Sequence, residues 1–78
     1  MKDQEIQQFV GKTLCVVIPI KNRVSISVQG DLNRSEDKGE IPPDYRYWLV
    51  GNPSLLFYAT DIQRVDVTEQ HGIIIRLF

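Results

Sequence analysis

Apolar and polar positions along the chain change period near Lys12. In KDQEIQQFV (2–10), Ile6, Phe9 and Val10 recur at i, i+3 and i+4. This predicts a short amphipathic helix, capped by Asp3 and stopped by Gly11. From Thr13 the repeat becomes two residues. TLCVVIPI (13–20) sets Leu14, Val16, Ile18 and Ile20 on one face, against Thr13, Cys15, Val17 and Pro19 on the other. Pro19 has no N–H for a ladder and belongs at an edge or a strand end. Lys21-Asn22 reads as a tight turn. In RVSISVQG (23–30), Val24, Ile26 and Val28 alternate with Arg23, Ser25, Ser27 and Gln29. That is a half-buried strand, predicted to form an antiparallel hairpin with the one before it. Residues 31–44 carry mostly charge, Gly39 and Pro42-Pro43, and read as a long polar loop. YRYWLV (45–50), SLLFYA (54–59), RVDVT (64–68) and GIIIRLF (72–78) read as further strands. Gly51-Asn52-Pro53, a short 3₁₀ turn over 60–62 and Glu69–Gly72 separate them.

This order predicts an all-β fold: a small, strongly bent antiparallel barrel of five to six strands behind a short N-terminal helix. One domain spans 1–78, with the helix over 1–11 and the barrel over 13–78. Several strands are apolar on both faces, yet a small barrel has one inside. Leu56, Tyr58, Ile74 and Phe78 are therefore the expected subunit interface. The alternative is a sheet bent back on itself so that both faces are covered.

Size sharpens the case for partners. A 78-residue chain buries only about 60% of its unfolded surface, so its core is marginal. Cys15 is the one cysteine, which leaves no internal disulfide, and Cys15 with His71 is too small a set for a structural zinc. Oligomerisation is the remaining standard support. The N-terminal stretch lacks a signal-peptide core, and no run approaches the ~20 apolar residues of a membrane span. The expected setting is cytoplasmic, with no membrane partner. Nine basic and ten acidic residues give a net charge of -1. That balance lacks the footprint of a duplex-DNA binder but leaves single-stranded RNA open.

Catalytic parts are scarce. His71 falls in a predicted turn, and Cys15 reads as a small hydrophobe rather than a nucleophile. Asp61 reads as a turn cap and Asp66 as a residue on a wet strand face, rather than as an acid/base pair. The chain is expected to be no enzyme and to use no cofactor. For nucleic acid, Arg46, Tyr47 and Trp48 place a cation beside aromatics that stack on bases. The first reading of Tyr47 or Trp48 remains a core residue. Arg23, Arg34 and Lys38 lie near the long loop, as candidate phosphate contacts or as solubilising charge.

A short helix followed by F-V-G-K-T-L-C-V-V-I (9–18) and R-V-S-I-S-V-Q-G (23–30) resembles the opening of an Sm-like domain. F-Y-A-T-D-I-Q-R-V (57–65) is similar to the strand-into-3₁₀ ending of Sm-like and SH3-like barrels. Val50-Gly51-Asn52 keeps the last two residues of the family's second motif without its basic residue, and Asp31-Leu32-Asn33-Arg34 departs from the spacing of the first. The resemblance implies an open barrel that adds edge to edge into a homo-oligomeric ring, with single-stranded RNA near the pore as a candidate ligand. Asn52 is the one residue it carries over as an RNA contact. The alternative is a small protein–protein interaction module, such as a viral or accessory protein, with no nucleic-acid activity.

Overall fold

The computed structural model describes residues 2–36 and 45–78. Helix α1 covers Asp3–Ile6, and a 3₁₀ turn continues it over Gln7–Phe9. Six strands follow: β1 (Thr13–Lys21), β2 (Val24–Glu36), β3 (Tyr45–Val50), β4 (Leu55–Tyr58), β5 (Ile62–Thr68) and β6 (Gly72–Leu77). A 3₁₀ turn over Ala59–Asp61 joins β4 to β5. The strands form one sheet in the order β4-β3-β2-β1-β6-β5.

The mostly β character and the N-terminal helix agree with the expectation from pattern. Three details differ. The helix is shorter than 2–10, and Asp3 does not cap it: the residue before the first turn is Lys2, and no side chain bonds there. Asp3 lies inside the first turn and turns its carboxylate to the sheet. Residues 31–36 are strand, because β3 pairs with them from Asp31↔Val50 to Glu36↔Tyr45. The rest of the predicted loop lies outside the described residues. Finally, the sheet is mixed and is not closed into a barrel. β6 runs parallel to β1 through Cys15↔Ile74, Val16↔Ile75 and Val17↔Arg76, while the other pairs are antiparallel. The turn over 59–61 carries the chain from one edge of the sheet to the other, so β5 and β6 return as a hairpin against β1.

Alternation decides which side chains are buried. Leu14 and Val16 of β1, Val28 and Leu32 of β2, Tyr47 and Leu49 of β3, Phe57 of β4, Ile62 of β5 and Ile75 of β6 form the core with Ile6 and Ala59. Ile6 is wholly buried, and Phe9 packs against the same cluster. The helical segment thus covers the core face of the sheet. Burial of a side chain such as Ile6 contributes about 2–3 kcal/mol, more than so short a helix can supply from its own hydrogen bonds. Gly11, at φ 85, ends the segment, and its N–H bonds the Leu32 carbonyl at 2.8 Å.

Gly30 and Gly51 let β2 and β3 approach closely. A Cβ at Gly30 would collide with the Val50 carbonyl oxygen, and one at Gly51 would lie 2.5 Å from the Gln29 carbonyl oxygen. Here the backbones meet directly, and no other residue fits without moving a strand.

Candidate functional site

The face of the sheet opposite the core carries two of the side chains that the sequence singled out, Arg46 and Trp48. On β3, Tyr47 and Leu49 point inward, which turns Arg46, Trp48 and Val50 outward. On β4, Phe57 points inward, and Leu56 and Tyr58 point outward. Register places Arg46 opposite Tyr58 and Trp48 opposite Leu56. From β2, Ser35 lies opposite Arg46 and Asn33 opposite Trp48. The result is a continuous surface of one guanidinium, two large aromatics and small polar groups. Arg46, Trp48 and Tyr58 are half-buried, and Leu56 is 55% exposed. Cross-strand pairs of this kind hold one another upright. Flat aromatic faces beside a cation are suited to stacking on planar, anionic ligands such as nucleotides.

Tyr47 is not part of that surface. It is fully buried, its ring stacks on Phe57 with centroids 6.0 Å apart, and its hydroxyl donates to an Asp3 carboxylate oxygen. Arg34 is engaged at the same place. Its Nε and terminal nitrogen donate to the two Asp3 oxygens at 2.8 and 2.6 Å. Its guanidinium carbon lies 4.4 Å from the centre of the Tyr45 ring, and Gln7 Nε2 donates to Asp3 at 2.8 Å. The Asp3 side chain is only 8% exposed. Desolvation works to raise its pKa, but hydrogen bonds from Arg34, Tyr47 and Gln7 outweigh it and hold the carboxyl below the usual range. Burial first, and then the bond to Asp3, pushes the Tyr47 phenol up. The Arg34 guanidinium is held still more firmly in its charged form by Asp3. This cluster clasps helix α1 to β2 and β3. Its guanidinium fork is occupied, so it has little to offer a phosphate.

The remaining sequence candidates are dispersed. Asn52 is exposed in the turn between β3 and β4. Arg23 lies at the tip of the β1–β2 hairpin, at the opposite end of β2 from Arg34. Lys38 falls outside the described residues. Of the interface candidates, Leu56 and Tyr58 lie on edge strand β4. Ile74 lies on β6, between β1 and β5, opposite Cys15 and Asp66. Phe78 is 75% exposed just beyond β6, and its N–H bonds the Asp61 carbonyl. Asp61 accepts from the Tyr58 N–H at 2.8 Å and so caps its turn. Among the described residues no group of three or more His, Cys, Asp or Glu is placed to hold a metal, and no helix is long and apolar enough to cross a membrane.

The sequence pattern sets Tyr58 in the expected interface and does not join it to Arg46. The joining signal is the β3–β4 register, which the short Gly51-Asn52-Pro53 turn fixes. No family model, curated protein or solved structure gives a significant match to this chain.

Proposed function

We propose that the chain is an Sm-like assembly module whose copies add strand β4 of one to strand β5 of the next, forming a ring that binds single-stranded RNA. The observation that carries the proposal is the character of β4. It is the outermost strand at one end of the sheet, with β5 outermost at the other. Its sequence, LLFY, contains no charge and no proline. Edge strands that remain free are normally protected by charge, proline or a bulge, because their unpaired backbone groups recruit other strands. β4 is short, and β5 carries Arg64, Asp66 and a register shift; an uncharged edge such as β4 is suited to pairing, and backbone hydrogen bonds supply the affinity of such strand addition. Two different edges on one molecule make the contact head-to-tail, and such contacts close into rings when the rotation permits.

Exposed apolar residues flank both edges, with Leu56 on β4 and Val67 on β5 at 55% and 67% exposure. On the RNA side, Arg46, Trp48 and Tyr58 share one face beside the β4 edge, so each added copy would extend a stacking surface. The reading is of a binding module without catalysis.

Size-exclusion chromatography with light scattering, across protein concentration, tests the proposal. A discrete multimer that Leu56→Lys converts to folded monomer is the expected result, together with oligouridylate binding that Trp48→Ala weakens. A monomer at every concentration would overturn the ring and leave β4 as an edge for a strand of another protein.

A further inference from the structure

The second concentration of charge lies at the other end of the sheet. Pairing of β1 with β6 extends only over Cys15, Val16 and Val17. Beyond it, Pro19 has no N–H to continue a ladder, and β6 ends at Leu77. An open groove of about 360 Å³ lies there, lined among others by Lys21, Arg23, Arg64 and Arg76, with Ser25 and Gln63.

Four of the chain's nine basic residues thus line one groove, on a chain whose net charge is -1. None of its lining residues is acidic. Outside the lining, Asp66 accepts from Arg76 Nε at 2.7 Å and lies 3.4 Å from Arg64 Nε. Both contacts use Nε and leave the terminal nitrogens of the two guanidiniums as donors for a ligand.

The backbone irregularities of the sheet gather at the same place. Among the described residues, the register shifts fall between Pro19 and Lys21 and between Ile62 and Arg64, on the two sides of the groove. Bulges re-aim side chains and are enriched beside functional sites. Arg23, a non-glycine residue at a positive φ of 66°, is also part of the lining. A left-handed arginine is costly where glycine or asparagine would serve, which points to a use for its side chain.

We infer that this groove is a site for a phosphate-bearing anion, gripped by Arg64 and Arg76 from one wall and by Lys21 and Arg23 from the other. Arginine forks match phosphate oxygens in pairs, and Ser25 and Gln63 add neutral donors. The lining holds no aromatic ring, so the groove recognises phosphate rather than a base. It is separate from the Arg46–Trp48–Tyr58 face, but Gln63 and Arg64 belong to β5, the edge strand that the proposed assembly uses.

The test is an amide-resolved NMR titration of the full chain with pyrophosphate, followed by competition against oligouridylate. Saturable shifts confined to residues 21–25, 63–64 and 76–77 are expected. Arg23→Gly and, separately, Arg64→Gln should each weaken binding about tenfold, while Trp48→Ala leaves it unchanged. If pyrophosphate displaces oligouridylate, and the same two variants weaken both, the phosphate comes from a nucleic-acid backbone. If pyrophosphate binds and oligouridylate does not compete, the ligand is a free phosphate compound. Shifts that do not saturate, that spread over the whole chain, or that persist undiminished in both folded variants would overturn the site.

Discussion

The two ends of strand β2 treat arginine in opposite ways. Near its C-terminal end, Arg34 lies under the helix with both carboxylate oxygens of Asp3 engaged, and the Asp3 side chain is almost closed to water. At the other end, Arg23 sits in a strained turn among three further cations, and Ile20 and Ile26 of the two flanking strands are 55% and 51% exposed. One sheet thus has a finished end and an open end. At the first, charge is paired and covers nothing new; at the second, charge and apolar surface both remain available. Small domains cannot bury everything they carry. Here Ile20, Val24 and Ile26 leave apolar surface exposed at the cationic end, and the contrast between the two ends separates residues that hold the fold together from residues that are free to bind.

The largest effect should come from breaking the finished end. Asp3→Ala leaves Arg34 and the Tyr47 hydroxyl without their acceptor, and urea unfolding should show a loss of about 3 kcal/mol. A loss under 1 kcal/mol would mean that the clasp is ornamental. Gly30→Ala forces β2 from β3 and should cost about 1–3 kcal/mol by the same assay.

The clasp also sets a pH dependence. Asp3 has a lowered pKa when folded, so its contribution is fully present above the unfolded value of about 3.9 and is lost as pH falls through the folded value. Tyr47 is raised, so its contribution is present below about 10 and is lost as pH rises from there. A stability profile should therefore fall at both extremes, and Tyr47→Phe should flatten the alkaline limb. At the open end, Arg23→Gly relieves a positive φ and should raise stability by up to about 1 kcal/mol, measured as a higher urea midpoint. Binding and stability would then move in opposite directions at one residue, which no position in the clasp should do.

Much of this fold was legible in the sequence. RVSISVQG alternates strictly, and β2 begins within one residue of its expected start. The aromatic strand at 45–50 and the turn that Asp61 caps also follow from local pattern. The clasp was not legible, because Asp3, Arg34 and Tyr47 are distant in sequence and each has an ordinary local role, as cap, loop charge or core ring. Arg64 and Arg76 were missed for the same reason. Their meeting with Lys21 and Arg23 depends on the parallel β1–β6 pairing, and alternation within a strand carries no information about which strand lies beside it. The candidate stacking face was half visible, since Arg46 and Trp48 share one strand while Tyr58 joins them only through register.

The proposed assembly pairs β4 of one copy with β5 of the next. Amide hydrogen exchange, resolved by residue and measured at low and at high protein concentration, tests it most directly. Pairing between copies predicts that outward-facing amides of β4 and β5 exchange freely in dilute solution and become protected together as concentration rises, while those of β1 and β2 do not change. Equal exchange at β4 and β5 across the whole concentration range would contradict it.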